Sequence, residues 1–295
     1  MSYKSGFVSI VGSPNVGKST LLNRLVGQKI SIVSPKAQTT RNRVTGVLTR
    51  AGYQIVFLDT PGIATPKNRL GEYMLKIARD SMNEVEAIVF VVDALAGIKG
   101  RDEALIERLK TAKAPVIAAI NKVDAASMDA VETLVERLKS EALFAKVLKI
   151  SAQNGQGVAE LEAVLADHLV EGPQYFPEDM VTDLPERMIC AELIREKALL
   201  CLHEEIPHGI GVEIEKISMR DEGQLADVYA AIYCEREGHK GILIGKGGSM
   251  LKRIGTLARK DIEWLLGVRV NLQLHVKVRE DWRNSPSAMR ELGYE

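Results

Sequence analysis

Short apolar runs alternate with helix-length amphipathic stretches along the first part of the chain. FVSIVG, YQIVFLDTPG, AIVFVVDA, APVIAAINKVD and KVLKISA are almost continuously hydrophobic, as strands covered on both faces are. STLLNRLVG and the stretch from Val158 to Leu169 have helical spacing. Buried strands separated by helices predict an α/β domain over 1–171, with a mostly parallel sheet and helices on both faces. The periodicity then stops. EGPQYFPEDMVTDLPER carries three prolines, and its core, 172–187, reads as an ordered or semi-ordered linker.

Beyond the linker the pattern changes. A helical stretch around 187–203 precedes two alternating segments, GVEIEKISM and ADVYAAIYCE, separated by the turn-like RDEGQ. A glycine-rich break, a basic helix and the alternating strand VRVNLQLHVKV follow. The order α-β-β-α-α-β predicts a smaller α+β domain, 188–295, with its core ending near 283 and a short helical tail after it.

Composition narrows this picture without redirecting it. With 295 residues, 46% hydrophobic and 26% charged, the chain can build two independent cores and needs neither disorder nor a fibre to account for it. The 39 basic residues balance 39 acidic ones, so any affinity for nucleic acid must come from a local patch. Cys190, Cys201 and Cys234 form no C-x-x-C pair, which argues against a disulfide framework or zinc site and for a reducing cytoplasm. No apolar run is long enough to span a bilayer, so membrane association would have to be peripheral.

Gly12-Ser13-Pro14-Asn15-Val16-Gly17-Lys18-Ser19 sits between a predicted strand and a predicted helix. In that context G-x-x-x-x-G-K-[ST] is a phosphate loop: backbone N–H groups and the helix N-terminus face phosphate oxygens. Lys18 would reach the β- and γ-phosphates and Ser19 would ligate magnesium. Asp59-Thr60-Pro61-Gly62 follows the apolar IVFL. Its carboxylate could hold magnesium and its glycine N–H could meet the γ-phosphate, although the same tetrapeptide is also a good turn. Asn121-Lys122-Val123-Asp124 closes another strand. An aspartate there can accept from both N1–H and the exocyclic amine of guanine, which adenine does not offer. Ser151-Ala152 would bring a backbone N–H near the guanine O6.

In the second domain, Gly245-Lys246-Gly247-Gly248 lies between GILI and SMLKRIGTLARK. This fits a GXXG loop that lets a nucleic-acid backbone approach closely. Residues 240–260 hold Lys240, Lys246, Lys252, Arg253, Arg259 and Lys260 and no acidic residue, which would make a local electrostatic groove.

Taken together, GSPNVGKST, SPKAQTTR at 34–41, DTPGI, NKVD, SAQNG and the GXXG segment resemble the translation-factor-like GTPases and, among them, the Era family, over nearly the whole chain. The resemblance implies a GTP-hydrolysing switch protein with a KH-like (type II) domain. The implied partner is small-subunit ribosomal RNA near its 3′ end, in assembly of the 30S particle. It also implies magnesium held by Ser19, Asp59 and a switch threonine, Thr40 or Thr39, with Thr40 favoured because it precedes Arg41. Lys18, Asn15 and Thr40 are then the catalytic candidates. Ile63 stands where Ras-like enzymes carry a water-orienting glutamine, so it belongs to the nucleotide site but cannot polarise water. Asn15 matches an asparagine that helps relatives hold a monovalent cation, making potassium a second candidate cofactor. Lys252 and Arg253 join the GXXG residues as RNA-binding candidates.

The expected state is a monomer in the cytoplasm, with peripheral contact at the cytoplasmic face of the inner membrane. The rival readings are a membrane-recruited signalling GTPase and an RNA-binding assembly factor holding GTP only as a structural ligand. His168, His203, His208, His239 and His275 lack metal-ligand spacing and read as packing or surface residues. Tyr229, Tyr233 and Trp264 read as core, whereas Trp282 is open between packing and a place beside bound RNA.

Overall fold

The structure is a computed structural model and describes residues 2–36, 38–62 and 65–294. In chain order it contains β1 (Lys4–Val11), α1 (Lys18–Val26), β2 (Val44–Arg50), β3 (Tyr53–Asp59), α2 (Arg69–Asp80), β4 (Ala87–Asp93) and α3 (Gly100–Leu109). Then come β5 (Val116–Asn121), α4 (Met128–Lys139), β6 (Phe144–Lys149), α5 (Val158–Asp167) and β7 (Val170–Glu171). After these lie α6 (Glu186–Cys201), β8 (Gly211–Arg220), β9 (Leu225–Cys234), α7 (Glu237–Ile244), α8 (Ser249–Leu266), β10 (Arg269–Val278) and α9 (Pro286–Glu291). The contacts divide the chain into two compact units. One comprises Met1–Ser31, Thr40–Thr65 and Met74–Asp183; the other comprises Ile32–Thr39, Pro66–Tyr73 and Leu184–Glu295.

The first unit is built on a sheet of order β2-β3-β1-β4-β5-β6, in which β3, β1, β4, β5 and β6 run parallel. Its central strands are buried throughout, from Val8 and Ile10 to Ile88–Val92 and Ile117–Ile120, which is why they read as unbroken apolar runs. Two antiparallel strands escape that reading. β2 pairs with β3 from Val44↔Asp59 to Arg50↔Tyr53 through a two-residue turn, but Gly46 interrupts VTGVLTR and its threonines blur the apolar signal. β7 is two residues long and pairs Lys4 and Ser5 of β1, a stretch of that edge that β4, starting opposite Val8, does not reach. The proline-containing segment after β7 is hydrogen-bonded along its length. Gln54 accepts from the N–H groups of Tyr175 and Phe176, and Val47 N–H donates to Val181 O at 2.8 Å.

The second unit has a three-stranded sheet, β10-β9-β8, with β8–β9 antiparallel and β9–β10 parallel. Its element order is the expected α-β-β-α-α-β. Ile254, Ala258 and Ile262 recur every fourth residue on α8 and are fully buried with Leu193, Ile194 and Ala198 of α6 and Val228 and Ile232 of β9. Trp264 does not follow the expectation of a core residue: it is 61% exposed. Two positions beyond Ile262, it falls on the opposite side of the helix, and the apolar ending WLL hides that phase in the sequence. Trp282 is packed inside the unit, 0% exposed, with its indole N–H donating to Gly209 O at 2.8 Å and its ring stacked on Tyr294. Cys190, Cys201 and Cys234 are free and buried.

Candidate nucleotide and RNA sites

The parallel strands end on one side of the sheet, and the sequence motifs lie just past those ends, the usual ligand edge of an open α/β sheet. Between β1 and α1 the chain folds back on itself. Gly12 (φ 155°), Asn15 (φ 68°) and Gly17 (φ 102°) have positive φ, and a Cβ on Gly17 would lie 2.2 Å from the Asn121 amide nitrogen. Only glycine fits there. Lys18, 6% exposed, donates its ammonium protons to Gly12 O and Ser13 O, both at 3.0 Å. Burial lowers its pKa to about 8, against the opposing pull of Asp59 and Asp102.

In the first turn of α1, Ser19 Oγ lies 2.9 Å from Thr40 Oγ1 and donates to Asp59 Oδ2 at 2.8 Å. Asp59 is fully buried, and burial pushes its carboxyl above the usual carboxylate range against the charge of Lys18. Its Oδ1 is buried with no hydrogen-bond partner among the described residues. A desolvated carboxylate oxygen beside two hydroxyls suits a hard cation with oxygen ligands, so the residues fit magnesium. Among the described residues there is no cluster of three or more His, Cys, Asp or Glu side chains that could hold a metal. Thr40 is the threonine brought to Ser19; Thr39 turns its hydroxyl onto Lys36 O at 2.7 Å. Thr60 is spent on the fold, donating to Ile10 O at 3.0 Å. Pro61 is buried and Gly62 partly so beside Pro14. Ile63 lies outside the described residues.

Asn121 ties three loops together. Its amide donates to Val16 O at 2.8 Å, and its carbonyl accepts from Ala152 N–H at 2.9 Å. Lys122 (φ 68°) reaches Asn15 O at 2.9 Å and pairs with Asp93 at 2.6 Å. Val123 N–H donates to Ile150 O at 3.3 Å, and Asp124 stands exposed at the end of the motif. Ser151 is buried and its hydroxyl accepts from Asn154 N–H at 3.3 Å. In this structure the Ala152 N–H is thus directed at Asn121. Two residues escaped the motif reading: Asp93, which holds Lys122, and Arg24 on α1, whose guanidinium donates to Ala152 O at 3.1 Å and to Gln153 O. Asp93 ends the apolar run AIVFVVD, a position that could have flagged it; Arg24 carries no sequence signal.

In the second unit, Gly245, Gly247 and Gly248 take φ of 72°, 59° and 80° and join α7 to α8 in a sharp turn. Lys246 and Gly247 are exposed at its tip. A cleft begins at Gly248 and runs along Leu251, Lys252, Gly255, Thr256 and Arg259 of α8 against Asn271, Leu272 and Leu274 of β10. The cations Lys252 and Arg259 thus lie on the α8 wall, and the β10 wall is mostly apolar, with Leu272 and Leu274 beside Asn271. Lys252 is in the cleft, whereas Arg253 is exposed on α8 outside that lining. The β10 wall was invisible in the sequence because the pairing that brings it to α8 is not local.

A phosphate loop at the β1–α1 turn, an Asn-Lys-x-Asp element after β5 and a separate α-β-β-α-α-β unit with a GXXG turn define a P-loop GTPase followed by a KH domain. The family comparisons agree: residues 7–122 match the model described as 50S ribosome-binding GTPase, and residues 205–283 match the KH domain. The chain is 50% identical to GTPase Era of Alkaliphilus metalliredigens over 295 residues, covering 100% of both. It is 52% identical to GTPase Era of Clostridioides difficile over 293 residues, 99% of each. A crystal structure of Era with MgGDPNP and nucleotides 1506–1542 of 16S ribosomal RNA superposes with a TM-score of 0.95 at 44% identity, covering 99% of both chains. A point variant of Aquifex aeolicus Era bound to GDP and AlF4− gives 0.94 at 45% identity and the same coverage. The chain belongs to the Era family of GTPases.

Proposed function

We propose that this protein hydrolyses GTP to GDP and phosphate and couples its nucleotide state to binding of small-subunit ribosomal RNA near the 3′ end, in assembly of the 30S particle. The observation that carries this is the match over 99% of the chain to an Era structure holding MgGDPNP and a 16S ribosomal RNA segment. The nucleotide domain is taken as 1–171, the linker as 172–187 and the RNA-binding domain with its tail as 188–295.

In this reading Gly12–Ser19 wraps the phosphates, and Lys18 exchanges the two loop carbonyls it now bonds for β- and γ-phosphate oxygens. Ser19, Thr40 and Asp59 are the residues that would hold magnesium, which when bound supplies charge to the β- and γ-phosphates. Gly62 offers its N–H to the γ-phosphate. Asp124 reads guanine, while Asn121 and Lys122 fix the loops around it. With Ile63 after Gly62, water activation falls to the substrate and the backbone, and Asn15 would help hold a potassium ion that, when bound, would supply the charge an arginine finger supplies elsewhere. Asn15 lies in the left-handed region with its carbonyl held by Lys122, a loop shape compatible with that role. Gly245–Gly248, Lys252 and Arg253 contact RNA.

The protein acts as a cytoplasmic monomer, with peripheral contact at the inner membrane as an accessory property; among the described residues no helix is long and apolar enough to cross a membrane. The test is crosslinking and sequencing of bound RNA with GDP and with a non-hydrolysable GTP analogue. Enrichment of the 3′ end of 16S RNA that differs between the two nucleotides is expected. Equal, scattered crosslinks would overturn the reading.

A further inference from the structure

Asparagine is a poor helix former, yet Asn23 sits in the middle of α1, four residues after Ser19 and therefore on the same face of the helix. Its side chain is engaged by one short stretch of chain. Oδ1 accepts from Ile30 N–H at 3.0 Å and Ser31 N–H at 2.9 Å, and Nδ2 donates to Ser31 O at 2.7 Å. Three bonds grip the backbone around Ser31. That residue is 2% exposed, and its hydroxyl donates to Asp59 Oδ2 at 3.0 Å. The same oxygen takes the Ser19 hydroxyl at 2.8 Å, while Asp59 Oδ1 has no partner among the described residues.

We infer that Ser31, set in place by Asn23, is a positioning residue for the magnesium carboxylate. A carboxylate with no neighbours rotates about its last bond and offers either oxygen. Two hydroxyls converging on Oδ2 fix the plane of the Asp59 carboxylate and reserve Oδ1 for the metal or its water. One face of α1 thus works twice: Ser19 acts directly, and Asn23 acts through Ser31, on the same carboxylate oxygen. Neither Asn23 nor Ser31 lies in a nucleotide motif. The inference rests on the proposed role of Asp59 at magnesium, and hydrogen-bonding partners of metal-binding carboxylates and histidines typically change metal affinity by 10- to 100-fold when removed.

The test measures release of a fluorescent GDP analogue as free magnesium is lowered, with the full-length protein and circular dichroism as a check on folding. Ser31→Ala is expected to raise the magnesium concentration needed for half-maximal retention by about tenfold. Asn23→Ala should shift it the same way, and the double variant should go no further than Ser31→Ala alone, because both act along one route. Ser31→Thr, which keeps the hydroxyl, should restore most of the affinity. Asp59→Asn serves as the reference. A large shift in Asp59→Asn with none in folded Ser31→Ala overturns the inference and leaves the magnesium site standing, whereas no shift in Asp59→Asn overturns the site itself. If Ser31→Ala fails to fold, Asn23→Ala decides in its place: a shift supports the inference, and no shift beside a large one in Asp59→Asn overturns it.

Discussion

At the scale of single residues, the nucleotide site depends on close approaches that tolerate little change. A methyl group on Gly17 would meet the Asn121 amide at 2.2 Å, at a φ that side chains rarely adopt. Gly17→Ala should therefore displace the link between the phosphate loop and the Asn121 loop, and GDP affinity measured by titration is expected to fall at least tenfold. Asp124 makes a sharper prediction, because its exposed carboxylate is assigned to both guanine donors. Asp124→Asn should weaken GTP and admit xanthosine triphosphate, whose C2 carbonyl replaces the amine. In a nucleotide competition assay, unchanged preference for GTP would remove Asp124 from the base site. These residues were readable in the sequence because phosphate and guanine recognition need fixed residue types at fixed spacing. Arg24, Asn23 and Ser31 were not readable, since an arginine on a helix or a serine in a loop announces nothing until the fold delivers it to Ala152 or Asp59.

At the scale of elements, legibility followed burial. Strands covered on both faces wrote themselves as apolar runs, and all five parallel strands of the larger sheet were recovered. β2 was lost because a strand carrying Gly46 and two threonines resembles a loop, and β7 because two residues carry no period. On α8 the buried stripe Ile254, Ala258 and Ile262 was recoverable, but Trp264 was assigned to the wrong face where the helix ends in consecutive apolar residues. The stripe is the side of α8 that fixes the cleft beside the GXXG turn. Ile254→Ala removes a fully buried side chain and should cost about 2–4 kcal/mol of stability. Denaturant unfolding with an unchanged slope would measure that loss, and a change below about 1 kcal/mol would show that the helix is not anchored there.

For the whole molecule, the question is whether GTP chemistry and RNA affinity reside in separate parts. The chain carries no net charge, so on the proposed reading RNA is drawn by a local patch, the run of cations from Lys240 to Lys260. Lys246 and Gly247 lie exposed at the GXXG tip and Gly247 has φ 59°. Replacing both with aspartate puts two anions where phosphates approach and strains the turn. RNA affinity should fall and lose part of its salt dependence, since fewer counterions are released on binding. GTP turnover without RNA should persist, because every residue assigned to the nucleotide lies before residue 153. Titration of RNA at two salt concentrations, alongside single-turnover hydrolysis, checks both halves in one protein. Undiminished RNA affinity would remove the GXXG turn as the binding site. Loss of turnover in the folded variant would show that the two activities are not separable, and intact GTP after a single-turnover incubation of the unmodified protein would reduce the nucleotide to a structural ligand.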